Sequence, residues 1–525
     1  MLSFKDAQRQ LVLPAWFDFE QAAKIGELST PRKTPFKLIE REQTRFDKAV
    51  LEFQANPQRH IASDVFGFAL SVGREDIARE AALSLVKDRD LHPAAVALAE
   101  KYLRSKEDDS VQDWRIKVRD IRKLLLAHPR NPIAWVEQAR AYTILGQHEP
   151  AERALKMALK LAPDNRYVLR SAARFYIHIK QPETAWRLFQ DTQRVEFDPW
   201  LKSCELNLSV LANKAPKRIP KDDVTAVLKH DLFYYSELLE SVGMMHLIAG
   251  KDKFARRSFE AAWPAASHNV VTHAEWVTRK HFPALEEKIS GKFKESLEAL
   301  TFSEYFDHKI EGAAKAACQW ASEEPYSRKS GLMVTYMLSL LGNYDLAARY
   351  ARAALDTNPD DCTTRNNLVF VLLRSGNIGD AEKEHRDQAV PTNIKDQICY
   401  IATKGLLHFK QGKLELGREL YAEAIAMSEK EGDKRLANMA RLNLALAELE
   451  VGGADVAAIA GGIVEQIGED KNPDVQFMRE RVTNSILTFE ADSEEHLPSP
   501  PNISITRSHT SWLQDKLQSL FRRER

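Results

Sequence analysis

Small and apolar residues recur along most of this chain with a helical period. Between Asn131 and Asn165, Trp135 and Tyr142 stand seven residues apart, with Ala139 between them. Seven residues are about two helical turns, so both aromatic rings share one face. Gly146 falls where that helix must stop, because glycine enters the left-handed conformation without a Cβ penalty. Ala151, Leu155 and Ala158 then mark the buried face of a second helix, and Pro163 ends the unit. Small residues on that face let two helices approach closely. The pattern predicts a pair of antiparallel helices joined by a short turn.

The same marks return at a fixed interval. Pro129 precedes Pro163 by 34 residues, and Ala151 precedes Ala185 by 34. Ala313, Ala347 and Ala381 are each 34 apart, as are Gly342 and Gly376, and Pro325 and Pro359. At these residues the sequence resembles the tetratricopeptide repeat family, whose unit is a 34-residue helical hairpin. The match is clearest over 132–165, good over 328–361 and 362–395, and recognisable over 59–92, 166–199, 236–269 and 398–431. The resemblance implies an all-α fold, a right-handed superhelical solenoid of about ten antiparallel helix hairpins, partly degenerate, in two arrays.

The departures from the repeat divide the chain. Lys180 replaces the turn glycine of 166–199, and Gly417 replaces the second-helix alanine of 398–431. Residues 1–55, with Trp16, Phe17, Phe19 and Phe36 as packing residues, are expected to form an N-terminal helical cap. A first array over 56–269 carries a basic insert at 213–221 (Lys214, Lys217, Arg218, Lys221). The 34-residue phase is lost over 270–293, where His281-Phe282-Pro283 breaks a helix, so an irregular joint is expected there. A second array follows over 294–467, then a capping helix within 468–489. Residues 490–511, with Pro498, Pro500 and Pro501 among Ser and Thr, read as a disordered linker. The last segment, 512–525, reads as a short amphipathic basic helix.

Composition narrows the function classes. The 525 residues carry 75 Lys+Arg and 75 Asp+Glu, which argues against a globally basic nucleic-acid binder while leaving room for a local patch. Four cysteines, Cys204, Cys318, Cys362 and Cys399, lack both a disulfide framework and the close pairing of a zinc site. Cys318 and Cys362 sit where small residues pack. The start, Met1 to Asp6, carries charge where a signal peptide would be apolar, and no apolar run of membrane-spanning length exists. These features point to a reducing compartment, in keeping with a prokaryotic cytoplasm. No phosphate-cradling loop, dinucleotide fingerprint, HExxH pair or GxSxG elbow is present. No catalytic residue, cofactor or metal ligand is assigned. His268, His273 and Glu275, near His246, read as packing residues, with an enzyme site at the joint as the remote third reading.

Recognition features remain. The resemblance implies that the second, fifth, ninth and thirteenth residues of each first helix line a concave groove. In the second array that places Lys329, Leu332, Tyr336, Asn366, Phe370, Arg374, Leu406 and Lys410 in a groove with apolar pockets and positive charge, suited to an acidic peptide. The alternative is a nucleic-acid face formed by Arg115, Lys117, Arg119, Arg122, Lys123 and Arg130, diluted by Asp113 and Asp120. Trp512, Leu513, Leu517, Leu520 and Phe521 form a C-terminal face that could dock in a groove, in cis or in trans. The leading expectation is a non-catalytic scaffold or adaptor that binds a partner segment. The sequence is silent on the partner's identity and on oligomeric state.

Overall fold

The structure is a computed structural model; it describes residues 11–25, 40–56, 61–62, 65–66, 69, 75–87, 99, 114–215, 232–453 and 455–495. Among these residues every regular element is helical. Phe19–Lys24 (α1), Glu40–Ala55 (α2) and Glu75–Lys87 (α3) come first, followed by Trp114–Ala127 (α4). Pro132–Ile144 (α5) pairs with His148–Leu161 (α6), and Arg166–His178 (α7) with Pro182–Gln190 (α8). Pro199–Leu211 (α9) precedes the pair Leu232–Ile248 (α10) and Asp252–Ala262 (α11). His268–Lys280 (α12) leads to Leu297–Phe306 (α13) and Ile310–Glu323 (α14). Arg328–Leu340 (α15) pairs with Tyr344–Thr357 (α16), and Cys362–Arg374 (α17) with Ile378–Arg386 (α18). Ile394–Lys410 (α19) and Leu414–Lys430 (α20), then Lys434–Val451 (α21) and Val456–Ile467 (α22), complete the hairpins, and Pro473–Glu495 (α23) closes the described chain.

Local chemistry sets these boundaries. Asn131, Asn165 and Asp198 each cap a first helix by accepting from backbone N–H groups of its first turn. Pro132 and Pro199 stand at the first helical position, where a missing N–H costs nothing. Gly146 turns the chain at φ 66°. Lys180, at the glycine position of the next hairpin, adopts φ 60°. Gly417 has a packing reason, since a Cβ there would lie 2.5 Å from the Phe409 ring. An ion pair also recurs from the start of one first helix to the start of the next. Arg166 Nε reaches Asp198 Oδ2 at 2.7 Å, Arg328 Nη2 reaches Asp361 Oδ1 at 2.8 Å, and Lys395 Nζ reaches Asp433 Oδ2 at 2.6 Å.

The course of hairpins is continuous through 270–293. There α12 occupies the first-helix place, and two 3-10 segments, Pro283–Lys288 and Ser290–Glu295, stand where a second helix would be. Pro283 has no N–H to continue a helix, which accounts for the lost sequence phase. The superhelix then returns onto itself. The Thr357 hydroxyl donates to the Ile144 carbonyl at 3.0 Å, and Arg140 Nη2 donates to the Glu323 carbonyl at 2.9 Å. The end of α5 therefore meets the end of α16, and the two arrays share one ring.

Two further differences from expectation concern the chain ends. Val12–Asp18 forms no regular element and enters α1 through extended dihedrals at Asp18, and Val12, Trp16 and Phe17 are buried within the ring. It lies on the inner wall, between the core of α4–α9 and that of α10–α13, with Trp16 and Phe17 in the first and Leu11 against the second. This run, which contains Pro14, carries no helix, whereas α1 and α2 fall within the expected helical segment 1–55. Helix α23 runs to Glu495, so the expected linker does not begin at 490. Phe36, most of the basic insert and the C-terminal face Trp512, Leu513, Leu517, Leu520 and Phe521 lie outside the described residues.

The closing seam is expected to lose stability in acid. Burial, then the neighbouring positive groups His148 and Arg174, lowers the His178 pKa to about 3, against the partial opposition of a hydrogen bond with the Thr357 backbone. Burial also lowers His148, with Asp360 opposing. Unfolded histidine titrates near 6.5, so between about pH 6.5 and 3 the unfolded chain binds more protons than the folded one. The stability supplied by neutral His178 is complete above that window and falls as pH drops through it. Chemical denaturation should show a loss of about 3 kcal/mol between pH 7 and pH 4, largely absent in His178→Gln.

Candidate functional site

The inner wall of the ring is built from the first helices. On α7, Tyr167, Arg170 and Arg174 follow at helical spacing, so they line one face. Glu137 and Arg140 come from α5, His268, Asn269 and Thr272 from α12, Glu324 and Tyr326 from the turn into α15, and Lys329 from α15 itself. Together they enclose the segment Val12–Asp18. Arg140 Nε donates to the Trp16 carbonyl at 3.1 Å, and the Tyr167 hydroxyl donates to the Phe17 carbonyl at 3.1 Å. The Ala15 N–H donates to Asn269 Oδ1 at 3.1 Å, the Trp16 N–H to the Tyr326 hydroxyl at 2.6 Å, and the Phe19 N–H to Glu137 Oε1 at 3.1 Å. Side chains of the wall thus read backbone groups of the segment.

The apolar side chains of the segment find aromatic pockets. The Trp16 ring is 5.6 Å from Tyr326 and 6.4 Å, edge to face, from Phe175. Phe17 stands edge-on to His268 at 5.0 Å. Behind the wall is a buried polar network. Arg170 Nη1 reaches Glu237 Oε2 at 2.7 Å, and Glu237 Oε1 accepts from Asn269 Nδ2 at 2.8 Å and Ser267 at 3.0 Å. The network orients Asn269 so that its oxygen faces the Ala15 N–H. Burial raises the Glu137 pKa, with Arg140 and the Tyr167 hydroxyl opposing.

The second-array groove residues lie on inward faces, but the chain's own C-terminal helices cover them. The Tyr336 hydroxyl donates to Asp474 of α23 and accepts from Arg435 of α21 at 3.0 Å. Arg374 pairs with Glu450 at 2.7 Å and donates to the Asn443 carbonyl at 3.1 Å. Lys410 pairs with the same Glu450 at 2.9 Å. Arg481 of α23 donates to the carbonyls of Ser339 and Leu340. Leu332, Asn366, Phe370 and Leu406 are buried. Within the fold, Glu450 and Glu298 pair with the cations of the expected acidic-peptide groove. Lys329 alone of these residues faces the channel, where it pairs with Glu298 at 3.1 Å. Arg374→Glu should set a second carboxylate against Glu450 and lower stability, with a shift to a lower denaturant midpoint as the readout.

The alternative nucleic-acid face is partly neutralised. Arg119 and Lys123 both approach Asp120, at 3.5 and 3.7 Å. Arg122 donates to the Tyr142 hydroxyl, Lys117 lies over the Trp114 ring, and Arg115 acts on Asp356 across the closing seam. Arg130 is exposed. At the joint, His273 Nδ1 meets Glu240 at 2.7 Å, and Trp263 Nε1 donates to the same carboxylate at 3.0 Å, all three buried. Among the described residues no group of His, Cys, Asp and Glu has metal-binding geometry. The channel residues escaped the sequence reading although a signal was available: the count that picks Lys329 and Tyr336 picks Tyr167, Arg170 and Arg174 when applied to 166–199.

Repeated helical hairpins with a concave inner wall define a helical-repeat solenoid of the kind typical of protein-interaction scaffolds. The sequence model described as tetratricopeptide repeat matches residues 113–166 and 403–461. No curated protein matches the chain. Solved structures similar to it include a human IFIT1 dimer with PPP-AAAA, at 13% identity and TM-score 0.33 over 74% of this chain and 96% of that one. The Cut9-Hcn1 hetero-tetramer of the APC/C matches at 12% identity and TM-score 0.32 over 85% and 93%. Yeast Tom70 matches at 14% and 0.26 over 90% and 99%. No helix of the described residues is long and apolar enough to cross a membrane.

Proposed function

We propose that this protein is a non-catalytic protein–protein interaction scaffold whose inner helical wall takes up an extended segment of a partner protein. The observation that carries the reading is the grip on Val12–Asp18, where side chains from α5, α7 and α12 and from the turn before α15 bond to backbone atoms. Bonds to backbone are largely indifferent to side-chain identity, which suits a wall that accepts segments from other chains. The basic face of α4 supports the nucleic-acid alternative less well, because several of its cations already have partners within the fold.

Affinity purification from the native cell, with and without nuclease, tests the reading. The expected result is a stoichiometric protein partner that survives nuclease and is lost from the double variant Tyr167→Phe, Asn269→Ala. RNA recovered alone, with every protein lost on nuclease, overturns it.

A further inference from the structure

We infer that residues 11–18 are a built-in competitor for the channel, and that the partner segment replacing them is extended and carries an adjacent aromatic pair after a proline and before a carboxylate. This rests on the scaffold reading above and adds the ligand's chemistry and its regulation.

Three observations carry the inference. The segment is not part of the repeat stack. The side chains that hold it are 124 to 310 residues away in sequence, and among the described residues none of the backbone groups of Val12–Phe17 bonds to the backbone of another element. It can leave without removing a hairpin, because a solenoid is held by contacts between neighbouring repeats.

The wall is selective as well as adhesive. Pro14 is buried and restricts the chain to extended conformations, which lowers the ordering cost of binding. Trp16 enters the Tyr326–Phe175 pocket, and Phe17 meets His268. Asp18 accepts from the Gln21 N–H and so starts α1, ending the extended stretch. A ligand copying this chemistry reads apolar, proline, small, aromatic, aromatic, acid.

The fit of the resident segment is also incomplete. Trp16 Nε1 is buried without an acceptor, and Arg174 Nε, whose guanidinium lies over the Tyr326 ring that Trp16 also meets, lacks a partner. A cavity of about 30 Å³ remains between Leu13, Pro14 and Ala15 on one side and Arg174, His268 and Lys329 on the other. A buried donor without an acceptor weakens a complex, so a segment that brings an acceptor here outcompetes the resident one. Tethering offsets this deficit. A segment on the same chain has an effective concentration on the order of 1 mM, so one with an intrinsic Kd of about 10 μM weakens a competing ligand about 100-fold.

The test uses the full chain with a specific protease site inserted between Ile25 and Glu40. A fluorescent peptide spanning residues 9–20 is titrated before and after cleavage of the folded protein. We expect weak binding to the intact chain, about 100-fold tighter binding after cleavage with release of the N-terminal fragment, and no binding of a peptide in which alanine replaces both aromatic residues. Retention of the fragment against excess peptide, or equal affinity before and after cleavage, overturns the inference. Full-length Trp16→Ala/Phe17→Ala provides an uncleaved control, and it should bind the peptide as the cleaved protein does. A nuclease-resistant partner lost from the inner-wall variant, together with a peptide that never exchanges, removes this inference and leaves the scaffold reading standing. RNA-only recovery removes the scaffold reading whatever the peptide does.

Discussion

Replacing Glu237 by leucine is expected to lower stability by about 3–5 kcal/mol. Glu237 and Arg170 are each 1% exposed. The Glu237 carboxylate accepts both Arg170 nitrogens, at 2.7 and 3.2 Å, as well as Ser267 and Asn269. Arg170 also lies 4.8 Å from the centre of the Trp200 ring. Leucine would remove the carboxylate paired with a buried guanidinium, and removing one partner of a buried pair costs more than the pair contributes. The loss is a large fraction of an ordinary domain's stability of about 5–15 kcal/mol. Because each hairpin leans on its neighbours, α7 through α12 should melt together. Urea unfolding followed by circular dichroism and by hydrogen exchange at α7 checks both statements. The exposed control Arg153→Ala should leave the midpoint in place. An unchanged midpoint in Glu237→Leu means that the network does not hold these helices.

The second large effect is expected at Gly146. Its φ of 66° costs a residue with a Cβ about 1–2 kcal/mol. A Cβ there would also lie 2.2 Å from the Asp356 carbonyl oxygen, a backbone atom that cannot swing aside. Gly146→Ala must therefore push α5 away from α16 and stretch the Thr357–Ile144 hydrogen bond. We expect a total loss of at least about 3 kcal/mol, the strain plus the seam. Gly376 provides the comparison. Its φ is 82°, but no atom lies within 4 Å of a built Cβ. Gly376→Ala should show the conformational strain alone. Thermal unfolding with small-angle scattering distinguishes the two, and only Gly146→Ala should expand the ring. Equal losses without expansion would mean that the closing contact contributes little.

Much of the solenoid was legible because its contacts are local in sequence. Trp135, Gly146, Ala151 and Pro163 mark one hairpin through contacts within 34 residues, and the interval repeats because each hairpin stacks on one like itself. The legibility had limits even there. Trp135 is only partly buried, and its indole N–H donates to the Pro129 carbonyl at 2.9 Å. The Lys180 turn was visible as a departure from glycine, whereas its left-handed φ of 60° was not.

The candidate site was legible by position and not by occupancy. Counting along a first helix picks Tyr336, Phe370 and Arg374, and all three are buried. What faces them is set by superhelical curvature, the sum of many small rotations between hairpins. That curvature brings Glu450 to Arg374 and Asp474 to Tyr336 across 76 and 138 residues, and so fills the groove from within. The same curvature seats Trp16 beside Tyr326 across 310 residues. By itself, then, the sequence determined the helices, their caps, their turns and the face each first helix presents, because those depend on residues a few turns apart. Only the tertiary structure decided that the ring closes, that α21 and α23 cover the second-array groove, and that residues 11–18 occupy the channel, because contacts over such separations leave no period in the chain.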